Sequence, residues 1–181
     1  MKAHAVSANT AFSIEAALEI LERTPRVVRS MLDGLSEEWT AGGDRENWAP
    51  FDIVGHLIHG ELTDWIPRAK IILDQGENKT FVPFDRLAQF EHSKGKTLAV
   101  LLDEFDECRR ASLTTLLDWK LTDEQLSLKA IHPELGEVTL GQLLATWVVH
   151  DLTHIRQIAQ FMARKYSEAV GPWTQYLSIL K

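Results

Sequence analysis

Little in these 181 residues would cross-link the chain, carry it through a membrane or draw it to nucleic acid. A single cysteine, Cys108, leaves no partner for an internal disulfide and points to a reducing compartment. On its helix it reads as a small buried apolar side chain. No stretch of eighteen apolar residues occurs, so no membrane-spanning helix is expected. Acidic residues outnumber basic ones, 26 to 19, the formal charge is −7, and no run of five lysines or arginines is present. That excludes the basic footprint of a nucleic-acid binder. The opening stretch, MKAHAVSANTAFSIEAALEIL, lacks a charged leader followed by an unbroken apolar core, so the chain reads as cytoplasmic.

The remaining composition is that of an ordinary folded protein. Hydrophobic residues make up 45% and charged residues 25%, close to the averages for globular chains. The length suffices for a core without disulfides or a structural metal, and one domain over residues 1–181 is expected.

Helical spacing dominates the pattern. From Ser13, a residue type suited to an N-cap, Ile14, Ala17, Leu18, Leu21, Val28 and Leu32 repeat at helical intervals as far as Gly34. Pro25 should kink or break that helix. A second helix is predicted over 51–73, bent by Pro67, and an irregular connection follows over 76–95. A third spans about 97–119, with Leu101, Leu102, Phe105, Leu113, Leu116 and Leu117 on its buried stripe. Residues 126–138 alternate around Pro-Glu-Leu-Gly as a hairpin or an extended strap. A fourth helix follows Thr139 to about Lys165, and a short one covers 172–180. Four long helices without an internal repeat predict an all-α four-helix bundle with irregular crossovers.

The stretch VVHDLTHIRQI on the fourth helix places His150 and His154 one turn apart, so their imidazoles project the same way. At 100° per residue Asp151 falls near the middle of the apolar arc, His154 beside it and His150 at its edge. Buried imidazoles and carboxylates need partners, and two neutral imidazoles on one face are a ready bidentate metal site. Zinc proteases share the HxxxH spacing but carry glutamate directly after the first histidine; Asp151 stands there instead, which sets that reading aside. For a third ligand the second helix offers His56, His59 and Glu61. The helical wheel does not choose between them: Glu61 lies nearest the core face, His59 on a flank, and His56 on the opposite side with Gly60. His56 would be inside only if that helix is packed on two faces.

The segment WAPFDIVGHL, followed some ninety residues later by HDLTHIRQI and preceded by GLSEEW, resembles the DinB-like (DinB/YfiT) superfamily along nearly the whole chain. The resemblance implies a four-helix bundle holding a divalent metal, nickel or zinc, on three histidines. By the matching motifs these are His56, His150 and His154. It is this resemblance that selects His56 over His59.

Three imidazoles leave a coordination position open, which suits catalysis on a small-molecule substrate. The resemblance implies a metal-dependent enzyme, with a thiol S-transferase using a low-molecular-weight thiol as the first expectation. A metal-dependent hydrolase and a non-catalytic metal-containing binding or stress-response module are the alternatives. Asp151 is a candidate to orient a histidine or accept a proton. Glu61 is a candidate carboxylate ligand, partner for Arg68 or pocket residue, and Arg68 could hold an anionic group. His4, His92 and His132 are expected in solvated tail or loop positions. The apolar excess around the second helix suggests a homodimer.

Overall fold

The computed structural model describes residues 12–75 and 80–181, so His4 lies outside the described residues. The first rod is α1 (Ile14–Leu21) and α2 (Thr24–Leu32). It opens at Ser13, whose hydroxyl accepts the Ala16 N–H at 3.2 Å. Pro25 causes the break: it has no N–H to give the Leu21 carbonyl four residues back, and its ring crowds that oxygen. The freed carbonyl instead accepts a hydrogen bond of 2.9 Å from Nη1 of Arg109.

After a crossover carrying α3 (Glu37–Thr40), the second rod comprises α4 (Pro50–Thr63) and α5 (Trp65–Gln75). It parts at Asp64 for the same reason, since Pro67 withholds its N–H from the Thr63 carbonyl. The expected bend is therefore an interruption. The long connection that follows is not wholly irregular, for it contains α6 (Ala88–His92). The third rod, α7 (Leu98–Asp118), is capped by the Thr97 hydroxyl. Next come the short α8 (Asp123–Leu126) and the hairpin β1 (Lys129–His132) and β2 (Gly136–Thr139), antiparallel with His132 opposite Gly136. Gly136 takes φ +76°, a region that costs an L side chain more than glycine.

The fourth rod is α9 (Leu140–Arg164), started by a reciprocal cap in which Thr139 Oγ1 accepts from Gln142 N and Gln142 Oε1 accepts from Thr139 N. The expected closing helix is two 3-10 segments, Gly171–Tyr176 and Ser178–Leu180. No helix among the described residues is long and apolar enough to cross a membrane.

The core forms two apolar clusters. One gathers Leu21, Trp65, Leu113, Leu144 and Trp147; the other gathers Val28, Ile58, Phe105 and Ile158. On each rod the chain passes from one cluster to the other, and polar groups occupy the passage: Glu61 between Ile58 and Trp65, Arg109 between Phe105 and Leu113, Asp151 between Trp147 and Ile158. Leu117, expected on the buried stripe of α7, is 51% exposed, one residue beyond the buried Leu116.

The crossover after α5 closes the far side of α4. Thr80 bridges Ile131, and Phe81 N–H donates to the Ile131 carbonyl at 2.9 Å, which fastens this segment to the hairpin. A Cβ built on Gly55 would lie 2.3 Å from Ser93 Oγ, so only glycine permits this approach without a shift of the serine. As a result α4 is buried on two faces, and His56 is 6% exposed despite its unfavourable place on the wheel.

Candidate functional site

His56 on α4 and His150 and His154 on α9 come together with their Nε2 atoms converging. His56 Nε2 to His150 Nε2 is 3.1 Å, and His150 Nε2 to His154 Nε2 is also 3.1 Å. One nitrogen from each of the three lies within 4.8 Å of the other two. Burial first, and then the neighbouring imidazole charges, push the His56 pKa down to about 3 and that of His150 to about 2. Burial also lowers the pKa of His154. All three rings are therefore neutral at pH 7, each with one lone pair to offer.

The tautomer of His154 follows from its neighbour. Its Nδ1 lies 2.9 Å from Gln157 Oε1, an acceptor, so Nδ1 carries the proton and Nε2 the lone pair. Hydrogen bonds alone then serve the cluster poorly. A single hydrogen on His150 Nε2 cannot point squarely at both neighbours, and without it two lone pairs face each other at 3.1 Å. The Nδ1 atoms of His56 and His150 are buried with no hydrogen-bond partner among the described residues. A cation satisfies three lone pairs at once, and the spacing suits one. Nitrogens about 2.0–2.1 Å from a shared ion at roughly 90–110° stand about 2.8–3.4 Å apart.

Aromatic rings wall this cluster. Trp48, in the turn before α4, lies 4.8 Å from the His56 ring and stacks at 6.4 Å on His154. Trp65 meets the edge of His150 at 5.0 Å, and Phe84 that of His56 at 5.5 Å. The three histidines open on a cavity of about 430 Å³, within the usual range for small-molecule sites.

His59 is not in the cluster. Its ring packs 4.7 Å from Phe84, and its Nε2 lies 3.4 Å from Thr63 Oγ1. Glu61 is not a fourth ligand and does not pair with Arg68. It accepts from Arg109 Nε at 3.0 Å and Nη2 at 2.7 Å, and from Trp147 Nε1 at 3.2 Å. Asp151 binds the same guanidinium with both oxygens, at 2.6 and 3.0 Å, so it is committed to an ion pair. Arg68 pairs instead with Asp64 at 2.7 Å. His92 and His132 also have partners: His92 Nε2 lies 2.6 Å from Glu104 Oε1, and His132 Nδ1 accepts the N–H groups of Glu134 and Leu135.

Arg109 is the polar residue that sequence reasoning missed. Its signal was positional, because Leu102, Phe105, Arg109 and Leu116 share one helical stripe. Trp48 and Phe84 reach the site from crossovers, where no periodicity reports what a side chain will face, and His132 reaches it from the end of β1.

Comparison with known proteins agrees with this architecture. The sequence model of a family described as the DinB superfamily matches residues 20–158. A relative from Oceanobacillus iheyensis, named "Putative metal-dependent hydrolase OB0782", is 22% identical over 151 residues, which cover 80% of this chain and 83% of that one. Among solved structures, YfiT from Bacillus subtilis superposes with a TM-score of 0.72 at 23% identity, covering 88% of this chain and 93% of its own. YfiT is described as "a probable metal-dependent hydrolase with an unusual four-helix bundle topology". At that identity the likeness shows a shared fold.

Proposed function

This chain belongs to the DinB superfamily, and from that premise we propose that His56, His150 and His154 hold one divalent metal ion and that the protein is a metal-dependent hydrolase of small molecules. The observation that carries the reading is the convergence of three neutral imidazoles, the His150 Nε2 3.1 Å from that of His56 and from that of His154, on a cavity of about 430 Å³. The descriptions of OB0782 and YfiT as metal-dependent hydrolases support it. Held by three imidazoles with a position to spare, such an ion supplies Lewis acidity that activates water, or a thiol, near neutral pH.

The chain's own residues do the rest. Trp48, Trp65 and Phe84 shield the cluster from bulk water. Gln157 orients His154 through Nδ1, while Arg109 ties Asp151, between the two α9 histidines, to Glu61 on the His56 helix. The buried trio sets two carboxylates against one guanidinium. The acid of the cavity lining, Asp64, is paired with Arg68, so no described lining residue is an unpaired carboxylate base.

The test is elemental analysis after loading the purified protein with zinc or nickel and removing excess, followed by turnover assays on esters and amides. About one equivalent retained and hydrolysis of some member are expected. Failure to retain metal overturns the proposal, and turnover only with a low-molecular-weight thiol and an electrophile would move it to thiol transfer. A further outcome concerns Gln157→Leu, which removes the acceptor for His154 Nδ1–H. Metal affinity should fall about 10–100-fold with the unfolding midpoint little changed, as read by chelator competition and by urea titration.

A further inference from the structure

Away from the three histidines, the cavity is lined by hydrogen-bond donors and apolar rings. Arg68, 7% exposed, forms an ion pair with Asp64, Nε 2.7 Å from Oδ1, and donates from Nη2 to the Val82 carbonyl at 3.1 Å, and its plane lies over Phe81, with Cζ 5.0 Å from the ring centre. Its Nη1 has no hydrogen-bond partner among the described residues. His132 Nδ1 accepts two backbone N–H groups, at 3.1 and 3.2 Å, so the neutral ring carries its proton on Nε2 and presents a donor. Gln142 spends Oε1 on its helix cap, which leaves its amide NH2. Arg86 lines the same cavity from an exposed position and makes no ion pair among the described residues.

The charges do not balance. Arg68 and Arg86 face Asp64 alone, two positive groups against one negative, and that carboxylate is already bound to Arg68. Burial pushes the Asp64 pKa up while the Arg68 guanidinium pulls it back. At this end of the cavity, apart from any ion on the histidines, the surplus is about one positive charge, which matches one carboxylate there. The spare edge of Arg68 is a planar donor of the kind that recognises carboxylates, and Phe81, Val138 and Leu143 supply an apolar wall beside it.

We infer that this cavity selects substrates bearing one carboxylate on an apolar body, the carboxylate held by Arg68 with His132 and Gln142 and the reacting group directed to the three histidines. This rests on the proposed metal-dependent reading and adds the substrate class.

Calorimetric titration tests it with 4-phenylbutyrate and its neutral isostere 4-phenylbutanamide, on zinc-loaded wild type and on an Asp64→Asn/Arg68→Gln double variant. The double variant removes both charges of a buried pair together, which avoids leaving one uncompensated. The acid should bind wild type about 10–100-fold more tightly than the amide, the margin of charge-assisted hydrogen bonds. In the double variant, with metal content unchanged, that preference should vanish. Equal binding of acid and amide to wild type overturns the inference. So does an undiminished preference in the double variant, which would place the carboxylate on the metal. A wild type that retains no metal yet prefers the acid would sink the hydrolase proposal and leave the carboxylate site at Arg68 standing. Should the double variant not fold, Arg86→Ala at its exposed position decides the matter. It should weaken the acid more than the amide, and an equal effect on both counts against the inference.

Discussion

Arg109→Met is expected to destabilise the protein by about 3–5 kcal/mol, the cost of stripping one partner from a buried ion set. The side chains of Arg109, Glu61 and Asp151 are 2%, 1% and 0% exposed. Without the guanidinium, two carboxylates remain inside with only neutral donors, Trp147 Nε1 and the Ser112 hydroxyl, both on Glu61, and the Leu21 carbonyl loses the partner that replaced Pro25's missing N–H. Since total stabilities run to roughly 5–15 kcal/mol, such a loss would shift the urea midpoint severely. Replacing all three groups, Arg109→Met with Glu61→Leu and Asp151→Leu, should recover most of the loss, because well-packed apolar side chains can substitute for a buried ion set. A midpoint for Arg109→Met within about 1 kcal/mol of wild type would show that the trio contributes little; failure of the triple variant to recover would trace the loss to packing around Phe105 and Trp147, over whose rings the guanidinium lies at 5.1 and 5.0 Å.

That trio also shows where sequence reading stops. The rods follow from helical period, and their ends from Ser13, Thr97 and Thr139, whose hydroxyls cap the helices that begin after them. Pro25 and Pro67 locate the two interruptions because a missing N–H is a local fact, and the hairpin follows from Pro-Glu-Leu-Gly for the same reason. Partner choice is not local. Glu61 lies about two turns from Arg68 on the same segment and pairs with Arg109, 48 residues away. Asp151 looks suited to serve its histidine neighbours and instead faces the same guanidinium. A wheel reports which residues share a face and cannot say what that face meets. The cavity lining was beyond reach on the same ground, since Phe81, Phe84 and His132 arrive from a crossover and a hairpin whose docking depends on the Thr80–Ile131 bridge.

His56 is the residue on which wheel and family pattern part, and its substitution has the larger consequence for the proposed metal. His56→Ala should lower metal affinity by more than the roughly 10–100-fold that loss of an outer partner costs, because it removes a bonded nitrogen. His150→Ala/His154→Ala, with a single imidazole left, should retain none. His59→Ala, whose ring lies against Phe84 outside the cluster, should bind metal as wild type does. Competition against a chromophoric chelator reads all three. Wild-type affinity in His56→Ala, or its loss in His59→Ala, would exchange the two residues. Thermal unfolding separates the metal site from a purely hydrogen-bonded cluster. A ligand that binds the folded state raises stability by RT ln(1 + [L]/Kd), so metal should raise the midpoint of wild type and His59→Ala and leave His56→Ala nearly unmoved. If the imidazoles only bond one another, metal moves none of the midpoints, and His56→Ala changes stability by the same amount in its presence and absence.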